Sequence, residues 1–196
     1  MQQSSWKGIV LGLLLAGAGW DARAQSPAAA ALSGVQLASL RTQVRQFQAS
    51  LNRGLQNTLD HPFAMLQDVK GVYLPRFGAV FHMELNLAPL RVLSAFDVRP
   101  YTEEELRQAR QTKIDRIRIL KERLSELLRE HGAELSAVPP DQNVAVVVHL
   151  FHMPSEQTDG LPTQIVIEVS RGVLADPQGL AVSAEEFRKK ISVFEF

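Results

Sequence analysis

The sequence predicts an α+β fold: an antiparallel or mixed sheet of about five strands, with a long amphipathic helix and an N-terminal helix packed on one face. Three observations predict it. Residues 70–75, 78–86, 144–151, 164–170 and 191–196 carry strand patterns bounded by Gly, Pro or polar clusters. Residues 35–59 and 102–131 repeat apolar side chains at spacings of three and four, the period of a helix with one buried face. The elements run helix, hairpin, long helix, hairpin, short helix, strand, an order that suits one sheet covered on one side.

Residues 1–24 read as a secretory signal peptide. Lys7 precedes an apolar run of 12 residues at 9–20, and Ala22 and Ala24 stand at the −3 and −1 positions before Gln25. The run is shorter than the roughly 20 residues that span a bilayer. The expectation is export to the periplasm or beyond, with no membrane span after cleavage; an uncleaved N-terminal anchor is the lesser alternative. Residues 25–32 are small and low in complexity and read as a flexible leader. Residues 33–196 then form a single domain, long enough to bury one core.

Composition narrows the function. The chain has no cysteine, which removes disulfides, thiolate metal sites and a lipid-modified N-terminal cysteine. It carries 21 basic and 21 acidic residues. Loss of residues 1–24 takes away Lys7, Asp21 and Arg23 and leaves a net charge of −1. Nucleic-acid binders show a basic excess or stripe, so none is expected as a partner.

Along the domain, Ser33 is placed to cap a first helix whose stripe is Leu37, Leu40, Val44, Phe47, Leu51 and Leu55. Gly54 weakens its last turns, and Asp60-His61-Pro62 ends it. Residues 70–75 and 78–86 form a hairpin about a Pro75-Arg76-Phe77-Gly78 turn. In its second strand Ala79, Phe81, Met83 and Leu85 face one way and Val80, His82, Glu84 and Asn86 the other. Tyr73 and Phe81 are placed to meet across it. Residues 87–100 look irregular.

Thr102 and Glu105 form a capping-box pattern that opens the long helix. Its stripe is Leu106, Ile114, Ile117, Leu120, Leu124 and Leu127 or Leu128, and Gly132 stops it. The run 144–151 is apolar on both faces, so a central strand with Val146 and Val148 in the core is expected. Its neighbour, 164–170, follows a link at 152–161 that reads as a mobile loop. Ser183 and Glu186 repeat the capping-box pattern before a short helix and a last strand.

The hairpin Gly71-Val72-Tyr73-Leu74-Pro75 with Gly78-Ala79-Val80-Phe81, and the ending Ala184-Glu185-Glu186-Phe187-Arg188-Lys189-Lys190-Ile191, resemble uncharacterised exported bacterial proteins. Arg76 departs from the glycine expected in that turn. The resemblance implies export and no activity, and it contributes no catalytic residue.

Candidate chemistry is sparse. His82 and Glu84 share a strand face and could hold one metal or relay one proton. The other reading of the pair is the wet side of a half-buried strand. His149 and His152 are three apart, so on a strand they point to opposite faces. His131 and Glu134 form H-x-x-E without the second histidine of a zinc motif. No G-x-S-x-G, G-x-G-x-x-G or G-x-x-x-x-G-K occurs. The narrow stripe Leu37, Leu40, Val44, Phe47 and Leu51 suits a seam with a partner or a second copy, or packing on the chain's own sheet. The expected function is therefore an exported, non-catalytic cell-envelope protein that binds a protein partner or ligand and needs no cofactor. The partner is an envelope protein or a second copy held through the N-terminal helix. The alternative is an exported hydrolase, metal-assisted through His82 and Glu84.

Overall fold

A computed structural model describes residues 34–56, 58, 63–88, 99–176 and 183–196. All belong to the compact unit 31–196. The expected signal peptide, leader and Ser33 cap, and most of the irregular 87–100 stretch, lie outside the described residues.

The fold is the expected α+β class. Helix α1 spans Gly34–Gln56 and α2 spans Glu103–His131. Strands β1 (Ala64–Leu74), β2 (Gly78–Asn86), β3 (Asn143–Leu150), β4 (Gln164–Ser170) and β5 (Ser192–Glu195) form one sheet in the order β1-β2-β3-β4-β5. The pairing is mixed. β2 and β3 run parallel, and the other three pairs are antiparallel. That parallel step follows from the chain between them: α2 carries it the length of the sheet and returns it to the same end. A short α3 (Arg171–Ala175) that the sequence reading did not foresee follows β4, and α4 (Ala184–Arg188) precedes β5.

The core lies between the two helices and one sheet face. Leu40, Val44, Phe47, Leu51 and Leu55 of α1 and Ile117, Leu120, Leu124, Leu127 and Leu128 of α2 meet alternate residues of β2, β3 and β4. Val146 and Val148 have no exposed surface. Leu106 and Ile114, expected in the α2 stripe, are only half-buried. Both capping boxes form, at Thr102/Glu105 and Ser183/Glu186.

Two local expectations change. Tyr73 lies opposite Ala79 and not Phe81: Phe81 pairs across the hairpin with Gly71, and its ring stacks edge-on against Phe47, with centroids 4.7 Å apart. A side chain at 71 would strike both Phe81 and Val44, so glycine is what lets β1 sit under α1. Gly132 does not end α2 by turning left-handed. Its φ is −62°, and the chain runs on as a 3-10 turn over Gly132–Glu134.

In the hairpin, Phe77 N–H donates to the Leu74 carbonyl at 3.1 Å. Arg76 takes φ +74° at the third position, where a type II turn favours glycine. A non-glycine residue in that region costs roughly 1–2 kcal/mol. Gly78 has φ +128°, and a Cβ there would meet the Asn143 carbonyl oxygen at 1.9 Å.

Candidate functional site

The candidate partner stripe on α1 is spent inside the molecule. Leu40, Val44, Phe47 and Leu51 are each 6% exposed or less, so they are not a free docking seam. Leu37 alone stays open, at 39%. It borders a groove of about 390 Å³ together with Leu40, Arg41, Val44, Arg45 and Tyr73. The polar side of α1 has a task instead. Asn52 Oδ1 accepts from Val69 N–H at 2.9 Å, and Gln48 Oε1 accepts from Gly71 N–H at 3.2 Å. These backbone donors belong to β1, the first strand of the sheet. Two helix side chains therefore close part of an edge that a neighbouring strand would otherwise fill.

At the other edge, β5 is exposed at every position. Phe196 and Gln164 exchange backbone bonds of 3.0 and 3.2 Å. Antiparallel alternation then turns the N–H and C=O of Phe194 toward β4 and those of Val193 and Glu195 outward. Val193, Phe194 and Phe196 are 43%, 46% and 69% exposed. The Glu195 carboxylate pairs with Lys121 of α2.

The sheet face away from the helices carries the other candidates. His82 and Glu84 lie there, and the β2–β3 register sets His149 directly opposite Glu84. Among the described residues, no three His, Asp or Glu side chains are placed to hold a metal ion. The two-residue candidate His82 and Glu84 thus gains a neighbour in His149 but no ligand set. The same face bears apolar residues. Val72 of β1, Val80 of β2, Val147 of β3, Val166 of β4 and Phe194 of β5 all point to it by register.

A cluster that the sequence reading missed ties the β3–β4 link to α2. Lys113 Nζ donates to Glu156 Oε2, to the Phe151 carbonyl at 3.2 Å and to His152 Nδ1 at 3.2 Å. His152 Nε2 lies 3.0 Å from the Pro162 carbonyl, which fixes the tautomer that leaves Nδ1 as the acceptor. Met153 N–H also donates to Glu156 Oε2, at 3.0 Å. The Lys113 and Glu156 side chains are 3% and 4% exposed. All three ammonium protons are committed, so the cluster anchors the link to α2. The link expected to be a mobile loop is pinned at its middle. One signal was available: Lys113 stands in the helix's buried row, four residues before Ile117.

Arg171 is a second buried cation. Its Nε donates to the Leu135 carbonyl at 2.7 Å, and Nη2 lies 3.4 Å from the Ala133 carbonyl. Burial lowers its pKa from the usual arginine value. It closes the 3-10 turn after α2, a structural duty. His131 pairs with Glu134 at 3.0 Å within that turn.

Compared with known proteins, the chain matches no family model, no curated protein and no solved structure.

Proposed function

We propose that this chain is an exported, non-catalytic cell-envelope protein that binds a protein partner on the sheet face opposite its helices. One observation carries the reading. Apolar residues on that face form two adjoining rows, Val72-Val80-Ala145 across β1–β3 and, two residues further along, Val147-Val166-Phe194 across β3–β5, with Lys70, His82, Glu84, His149 and Glu168 around them. A solvated sheet face ordinarily alternates to polar side chains. An apolar centre with a polar rim is the composition of an interface. The secretory layout of residues 1–24 supports the location.

The test is a photo-crosslinking residue placed at Val147, on the second of these rows, and in a second variant at Arg118, on the outer side of α2. The reading expects one or two discrete envelope proteins joined at 147 and none at 118, with the processed chain beginning at Gln25. Equal labelling at both positions, or no adduct at 147, overturns it.

A further inference from the structure

We infer that β5 pairs with β5 of a second copy, antiparallel across a two-fold axis at Phe194, to make one ten-stranded sheet. The inference concerns self-association through the strand edge; it shares the Phe194 ring with the partner face proposed above and rests on the backbone edge, which that face does not use.

Alternation along the edge allows an axis at Val193, Phe194 or Glu195, and the axis at Phe194 brings the exposed rings together while keeping the two Glu195 side chains apart. Val193 and Glu195 point their backbone groups outward, and Phe194 points its own toward β4. An outward residue must face an outward residue for the two to exchange bonds. Centring the axis on Phe194 sets Val193 opposite Glu195 of the second copy, and Glu195 opposite its Val193. Each pair exchanges two bonds, so four backbone hydrogen bonds form with no donor left over. Phe194 then faces its own symmetry mate as a non-hydrogen-bonded pair, with Cα atoms about 4.5 Å apart.

Side chains and charge agree with that register. Phe194 meets Phe194 and Phe196 lies across from Ser192, so the exposed rings cover one another on the sheet face away from the helices. No like charges stand directly opposite, and each Glu195 is already matched by Lys121 of its own copy. The edge is short and carries Glu195, but it lacks the other usual safeguards within its span. It holds no proline or lysine and shows no register shift, whereas β1 has shifts between Met65 and Gln67 and between Gln67 and Lys70, and is closed by Asn52 and Gln48.

Area sets the strength. A phenylalanine has about 150–250 Å² to bury, and the exposed shares of Phe194 and Phe196 leave about 200 Å² per copy. Adding the backbone strip still falls short of the ~1,200–2,000 Å² of a standard interface. The pair is accordingly a weak, reversible dimer that forms as the protein is concentrated.

The chain has no cysteine, so a single one is a clean probe. Phe194→Cys is compared with Leu74→Cys in the full chain, purified as its host processes it; the two parent residues are equally exposed, at 46%. Mild oxidation should join the Phe194→Cys chain to itself about tenfold faster or more, because its mate sits within disulfide reach. Sedimentation of the unaltered chain should show its average mass rising toward two copies at about 200 μM. Val193→Pro removes an outward donor and no bond of the chain's own sheet; it should abolish that rise without changing cooperative melting. A monomer mass of the unaltered chain at every concentration, or a rise in mass that survives Val193→Pro, would overturn the dimer.

Discussion

The two edges of the sheet pose the same physical problem and are handled in opposite ways. β1 leaves backbone donors at Val69 and Gly71, and α1 answers them with Asn52 and Gln48. β5 leaves outward groups at Val193 and Glu195 and only an ion pair from Lys121 above it. A free strand edge is a template for another strand. The contrast teaches that the helix suggested by the sequence as a docking seam buries its apolar stripe in the core and closes one edge with its polar side, while the far edge and the open face carry exposed apolar side chains.

Breaking the closed edge gives the largest effect. Phe47→Ala removes the ring that stacks on Phe81 beneath β1. Chemical denaturation should show a loss of about 3–5 kcal/mol. A comparable loss belongs to the open side. The pinned link from β3 ends at Thr163, whose N–H bonds to the Phe196 carbonyl at 2.6 Å. Lys113→Met strands the buried Glu156 carboxylate and should cost about 3–5 kcal/mol. Adding Glu156→Leu should restore much of the loss, because it removes the orphaned charge. If the double variant is as unstable as the single one, the cluster does not work as an ion pair.

Asn52→Ala sharpens the comparison. It leaves Val69 N–H buried without an acceptor and should cost about 1–3 kcal/mol in thermal or denaturant melts. Lys121→Ala is the smallest change. Its partner Glu195 is 40% exposed, so melting should show a loss below about 1 kcal/mol. An Asn52 effect no larger than that of Lys121 would erase the distinction between a sealed and an open edge.

The sequence made the periodic parts legible. The stripe of α1, the alternation of β2 and the apolar run of β3 each report one buried direction, and each element formed where its period predicted. β1 was read as 70–75 but begins at Ala64, because its early residues bulge against β2 and lose the alternation that marks a strand. The apolar run of β3 implied cover on both faces, yet one side bears the half-buried Val147 and the exposed His149. Periodicity shows which residues are apolar and not what covers them. The edge seal was illegible, because Gln48 and Asn52 look like any polar helix face until β1 is set beside them. The Lys113–Glu156 tie joins residues 43 positions apart, and only the lysine's place in the buried row hinted at it. His82 and Glu84 were legible as neighbours, but His149 entered only through the parallel register.

Amide hydrogen exchange, read residue by residue at two protein concentrations, tests the difference between the edges most directly. The account predicts that Val69 and Gly71 are protected at both concentrations. Val193 and Glu195 should exchange freely when dilute and gain protection when concentrated, as a second strand covers them. Protection of Val193 and Glu195 in dilute solution, or fast exchange at Val69 and Gly71, would contradict it.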